Sequence, residues 1–102
     1  MKGSVYSNLG KAYLSLGESR KAIEFFQLSL TIATETGDKR LKGSVYNNLG
    51  SAYHSLGEFR KAIEFFQLSL TIAMETGDKR LKETVYNTVS YTHLTLPTIY
   101  SV

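Results

Sequence analysis

GSVYSNLGKAYLSLGESRKAIEFFQLSLTIATETGDKRLK, residues 3–42, runs directly into GSVYNNLGSAYHSLGEFRKAIEFFQLSLTIAMETGDKRLK, residues 43–82. The two forty-residue stretches differ at five positions: Ser7/Asn47, Lys11/Ser51, Leu14/His54, Ser19/Phe59 and Thr34/Met74. A period of this size marks a repeat array, in which neighbouring units stack to bury apolar faces that no unit can bury alone. An array of near-identical units argues against an enzyme. The functional question becomes what lies on its surface.

Each unit carries two helical patterns. In the second unit Val45, Tyr46, Leu49, Ala52, Tyr53 and Leu56 recur at three- and four-residue spacing, which makes a one-sided stripe. Gly57 suits a helix C′ position, and the charge of Glu58 favours the start of the next helix. That second helix has two apolar stripes, Ala62, Ile63, Phe66, Leu70 and Ala73, and Phe65, Leu68 and Ile72. Two apolar faces predict contact on two sides, with the partner helix of the unit and with the next unit. Gly77 ends the helix. Asp78 and its counterpart Asp38 are expected N-caps. The pattern predicts helices over 3–16, 19–36, 38–56, 59–76 and 78–88, in antiparallel pairs. The expected core is Tyr6, Leu9, Tyr13, Ala22, Phe26, Leu30, Leu49, Tyr53, Ala62, Phe66 and Leu70. Gly10 and Gly50 sit inside helices at a cost of about 1 kcal/mol each relative to alanine. A repeated cost predicts close helix–helix approach, with Ala22 and Ala62 opposite.

Bulk composition agrees with one small domain. At 102 residues, 42% hydrophobic and 21% charged, the chain has the make-up of a folded domain, not of a disordered segment. It has no cysteine, which removes disulfides, thiolate metal sites and thiol nucleophiles. The N-terminus lacks the apolar core of a signal peptide, and no apolar run reaches membrane-spanning length. A cytoplasmic, intracellular protein without a membrane association is expected. The net charge is +3, and the positive excess sits in DKRLK, present at 38–42 and 78–82. These two clusters read as solvated helix starts, with nucleic-acid binding along Lys39, Arg40, Lys42, Lys79, Arg80 and Lys82 as the lesser reading.

The repeated residues resemble the tetratricopeptide repeat (TPR). The family pattern of an aromatic, Leu-Gly and Tyr is matched by Tyr6, Leu9-Gly10 and Tyr13, and again by Tyr46, Leu49-Gly50 and Tyr53. The small residue and aromatic of its second helix are Ala22 and Phe26, then Ala62 and Phe66. Serine replaces the usual later alanine at Ser29 and Ser69, and Thr34 or Met74 replaces the usual proline. The forty-residue period is similar to the long-helix variety of kinesin light chains and Pins-type adaptors. The resemblance covers residues 1–87 and implies an all-α fold of antiparallel helix pairs stacked as a right-handed superhelix, an α-solenoid fragment. It implies two full repeats at 3–42 and 43–82, with a third starting over 79–88. Met1-Lys2-Gly3 overlays Leu41-Lys42-Gly43, so the chain reads as starting mid-pattern, an array fragment of a larger scaffold or signalling protein.

No catalytic constellation is present. The two histidines, His54 and His93, lack the cysteine or spaced histidine partner of a metal site, and the serines lack a recurring base. Glycines are single, not clustered into a phosphate loop. No cofactor is expected. Three of the five differences, Ser7/Asn47, Lys11/Ser51 and Leu14/His54, are spaced four and then three residues apart, on one helix face. In the family that face lines a concave groove for peptides or partner helices. Asn8 and Asn48 flank it, at positions resembling the family's asparagine for peptide backbone. The expected peptide-binding groove is therefore Ser7, Asn8, Lys11, Leu14, Asn47, Asn48, Ser51 and His54. The lysine of a carboxylate clamp is replaced by Ser7 and Asn47, which argues against that class of ligand. The expected function is a non-catalytic protein–protein interaction module binding a protein or peptide partner. The alternative is a structural spacer or self-associating sensor arm. Phe65, Leu68 and Ile72 are expected to need a following helix, which places self-association at the last repeat.

Residues 89–102, VSYTHLTLPTIYSV, leave the pattern. They resemble a translated sequencing-library transposase adapter: GTC-TCT-TAT-ACA-CAT-CTG-ACG-CTG-CCG-ACG encodes Val89 to Thr98 residue for residue. A short index would supply most of Ile99 to Ser101, and GTG-TAG would give Val102 and a stop. This segment is expected to be a non-native tail with no evolved packing partner.

Overall fold

Residues 2–92, the span described in the computed structural model, form five α-helices. They are α1 (Lys2–Ser15), α2 (Ser19–Thr36), α3 (Lys39–Ser55), α4 (Phe59–Thr76) and α5 (Lys79–Thr92). No strand occurs among the described residues. The predicted boundaries hold to within a residue or so for the first four helices. The fifth continues past residue 88 to Thr92, so four residues of the adapter-like segment are helical. The rest of that segment, with His93 and Pro97, lies outside the described residues.

The helix ends follow from local chemistry. Gly17, Gly37, Gly57 and Gly77 all have φ between 68° and 81°, a left-handed conformation that a Cβ disfavours. At Gly37 the following N–H, that of Asp38, donates to the Ala33 carbonyl at 2.9 Å while Gly37 N–H reaches Thr34, so the orphan carbonyls are satisfied. Asp38 then caps α3, its Oδ1 accepting from Leu41 N–H at 3.0 Å, and Asp78 does the same for Leu81. One two-residue step thus ends one helix and starts the next. Arg40 also reaches across to the Asp78 carboxylate at 3.7 Å, linking the two joints. Glu18 and Glu58 make no side-chain cap; Glu58 contacts Lys61 instead, at 3.8 Å.

Consecutive helices pack as antiparallel pairs, α1 on α2 and α3 on α4, with α2 joining α3 and α4 joining α5. The first helices also touch one another, α1 with α3 and α3 with α5, whereas α2 and α4 barely meet. One row is close and the other splays, so the stack bends with the first helices inside. The architecture is an all-α solenoid fragment. Its shortest dimension, 18 Å, is that of two packed helix layers.

Two equivalent cores repeat along the stack. Ala22, Ile23 and Phe26 of α2 cluster with Val45, Leu49 and Ala52 of α3. Ala62, Phe66 and Leu70 of α4 cluster with Leu81, Val85 and Val89 of α5. Tyr6, Tyr13, Leu30 and Tyr53, expected in the core, are half-buried. Tyr13 stacks on Phe25 at 5.4 Å and Tyr53 on Phe65 at 5.3 Å, and Lys21 and Lys61 lie 5.2 Å over the two tyrosines.

Three expectations are corrected. The helical glycines do not face Ala22 and Ala62: a methyl group on Gly10 would fall 2.5 Å from Phe26 Cε1, and one on Gly50 2.6 Å from Phe66 Cδ1. The glycines make room for a ring. Leu9 is exposed, because its face is the one α3 turns toward the preceding unit, and α1 has no described neighbour there. Leu68 is 44% exposed, and Leu28, in a unit followed by a complete repeat, is 47% exposed. A following repeat therefore does not cover this position; it belongs to the outer face. Ile72, by contrast, is buried beneath α5.

Candidate functional site

The eight residues expected to form a groove all lie on α1 and α3, the inner row. Their accessibilities differ. Asn8 and Lys11 are exposed, Asn48, Ser51 and His54 are half-buried, and Ser7 and Asn47 are 5% and 6% exposed. The last two sit in the seam between successive first helices. Asn48 Nδ2 donates to Ser7 Oγ at 3.4 Å, and one unit on, Asn47 Nδ2 donates to Thr88 Oγ1 at 3.4 Å. The reason is geometric: a bend with the first helices inside closes the seam over these side chains. They brace the inner wall, and an incoming chain would meet Asn8, Lys11, Asn48, Ser51 and His54 before them. Leu14 is half-buried against the α2–α3 core, which makes it in part a packing residue.

Ser51 Oγ donates to the Asn47 carbonyl at 3.4 Å. The Asn47 side chain retains one unmet need, since its buried Oδ1 has no hydrogen-bond partner. Thr88 cannot supply one, because its hydroxyl proton goes to the Thr84 carbonyl at 2.8 Å. His54 packs its ring on Phe59, centroids 5.3 Å apart and planes tilted by 51°.

The serines at the family's alanine position have a role that sequence reasoning missed. Ser29 Oγ donates to the Gly3 carbonyl and Ser69 Oγ to the Gly43 carbonyl, each at 2.7 Å and buried. Each pins the second helix to the N-terminal part of its partner helix, Gly3 in α1 and Gly43 in α3. The available signal was the repetition itself: a buried polar residue kept in both units implies a fixed partner.

Shallow hollows lie away from the inner row. One is bounded by Arg40, Thr76, Gly77, Asp78 and Lys79. Two matched ones lie beside Leu28 and Leu68 on the outer face. Among the described residues no three His, Cys, Asp or Glu side chains are placed to share a metal ion, and no helix is long and apolar enough to cross a membrane.

A family model described as the tetratricopeptide repeat matches residues 2–75. No curated protein matches the chain.

Proposed function

The chain belongs to the tetratricopeptide-repeat family, whose repeats generally serve as non-catalytic protein–protein interaction modules, and on that premise we propose that its inner row binds a peptide or helix of a protein partner. The residues offered are Asn8, Lys11, Asn48, Ser51 and His54, with Leu14 as an apolar floor and Ser7 and Asn47 as the seam beneath. The observation that carries the reading is the bend. With α1, α3 and α5 on the inside, one face of successive first helices becomes one continuous strip, and the two units differ most along it.

The strip suits an extended chain. Side-chain amides at 8 and 48 can both donate and accept, which matches the alternating N–H and C=O of a peptide backbone. Lys11 adds a positive charge at one end, and His54 with Phe59 adds an aromatic edge at the other. We take the module to be part of an intracellular scaffold, akin to the long-helix arrays of kinesin light chains and Pins-type adaptors. The reading assigns no reaction and no cofactor. Residues 89–102 are taken to be a non-native tail, outside the array of residues 1–88.

The test is selection of binders from a displayed library of random peptides, followed by titration against the full chain. Asn48→Ala and His54→Ala should each weaken the selected peptides by about tenfold, the loss of one or two hydrogen bonds or a ring contact. Amide shifts confined to α2 and α4 around Leu28 and Leu68, with those variants binding normally, would defeat the reading.

A further inference from the structure

The outer faces of α2 and α4 carry one pattern that reads alike from both ends. Arg20, Glu24, Gln27, Leu28, Thr31 and Glu35 follow at spacings of four, three, one, three and four, and all six are exposed. Such spacing keeps them on one stripe of the helix. α4 has the same six residue types forty positions on, from Arg60 to Glu75. The middle four of each stripe bound a hollow, one beside Leu28 and one beside Leu68. Four residues arranged in this way form the hole that takes a side-chain knob from a facing helix. The stripe also supplies a knob, since Leu28 and Leu68 are each nearly half exposed. Neighbouring repeats do not account for either leucine: a complete repeat follows Leu28 and a complete repeat precedes Leu68, and neither is covered.

Charge decides which way a facing helix of the same sequence would run. Laid antiparallel about the midpoint between Gln27 and Leu28, the stripe sets the leucine of one copy over the hole of the other and its arginine opposite the other's glutamate. Laid parallel, it sets arginine on arginine and glutamate on glutamate, which is repulsive at both ends. α2 and α4 run in the same direction, because α3 reverses the chain between them. One two-fold axis therefore makes both helices antiparallel to their counterparts at once.

We propose that two copies of this chain pair through these outer faces, α2 of each on α4 of the other. Leu28 and Leu68 are the knobs, and Arg20 with Glu75 and Arg60 with Glu35 are the flanking charge pairs between copies. The same surface is used on both sides, so the contact closes at a dimer. The inner row stays open on both copies. Partner binding there is a separate property, and the failure of one reading leaves the other standing.

Sedimentation velocity on the full chain over a concentration series tests this. The weight-average mass should rise with concentration and level at that of a dimer. Leu28→Gln with Leu68→Gln should raise the dissociation constant about tenfold or more, because each puts an amide where an apolar knob enters. In dilute solution, where the monomer prevails, that variant should unfold as the unaltered chain does, which separates lost pairing from lost folding. Arg20→Glu with Arg60→Glu should weaken pairing, Glu35→Arg with Glu75→Arg should weaken it too, and a mixture of the two variants should restore it. The chain has no cysteine, so added ones report the direction of the helices. On oxidation the Arg20→Cys chain mixed with the Glu75→Cys chain should give a disulfide-linked pair, and neither chain alone should. A chain that stays monomeric at every concentration overturns the proposal. So does a dimer indifferent to the leucine and charge changes, or one in which the Arg20→Cys chain links to itself.

Discussion

His54 and Phe59 meet at a tilt across the turn that joins α3 to α4, ring centroids 5.3 Å apart. In the first unit the same two places hold Leu14 and Ser19. Two of the five differences between the units are therefore one change, a new contact made of two new side chains. Phe59 is 49% exposed, so the pair sits at the solvent edge of the inner row and adds little burial. A double-mutant cycle with His54→Leu and Phe59→Ser, read by urea unfolding, should give a coupling of about 0.5 kcal/mol, the low end for an aromatic pair. Additive single changes would mean that the rings only lie near one another.

Gly50→Ala should destabilise, against the sign that helix propensity gives. Alanine is favoured over glycine in a helix by about 1 kcal/mol. The added methyl, however, would lie 2.6 Å from the ring of Phe66, which is fully buried and cannot swing away. Overpacking a filled core costs about 1–3 kcal/mol, so a net loss of about 1 kcal/mol is expected. Ala62→Leu, at another fully buried site of the same core, should lose about 1–3 kcal/mol for the same reason. A more stable Gly50→Ala chain would show that the ring has room.

This pair of residues also marks how far the sequence could be read. Helix limits were legible because each is written in a glycine and an aspartate whose roles are local. That Gly50 meets something closely was legible too, from a cost paid twice. Its partner was not: Ala62 and Phe66 lie one helical turn apart on the same stripe, and periodicity does not say which of them points at a given spot. Leu68 shows the same limit. Its spacing marks an apolar face, but only the equal exposure of Leu28 shows that a following repeat leaves it open. The inner row was legible as a face, through three differences at helical spacing. Ser7 and Asn47 were not legible as seam residues, because how far the row bends depends on packing between units.

Leu28→Gln and Leu68→Gln should each change stability by no more than about 0.5 kcal/mol, as exposed positions do. A loss of 2 kcal/mol or so at Leu68 alone would restore the view that this residue waits for a covering helix.

Ser69→Ala should cost about 1 kcal/mol in thermal or urea unfolding, the net worth of one buried hydrogen bond. The bond is short, 2.7 Å to the Gly43 carbonyl, and fully enclosed. Alanine is the family's usual residue here, so a chain stabilised by the change would mean that the serine serves something other than this contact.

The orphan acceptor of Asn47 bears on the origin of the C-terminal residues. In the seam between the first two units the side chain at 48 is asparagine, which donates to Ser7. At 88 it is threonine, whose proton is committed to Thr84, and Asn47 Oδ1 is left buried and unmet. The expected adapter origin would account for this: its two leading bases, CT, joined to an A, would encode Thr88, and an asparagine codon also begins with A. An array that continued in register would have Asn at 88 and Leu at 89. Thr88→Asn should therefore supply the missing N–H and stabilise by about 1–2 kcal/mol, the cost of an unsatisfied buried group. Val89→Leu should add about 0.8 kcal/mol for one buried methylene, as Val89 already occupies the seat that Leu49 fills in α3. Both effects are read in the same urea titration. A destabilised Thr88→Asn chain would show that threonine is suited to its place. The direct check is the nucleotide sequence: codons that differ from the adapter over residues 89–98, or the same tail in uninterrupted genomic DNA, would make this segment a true part of the protein.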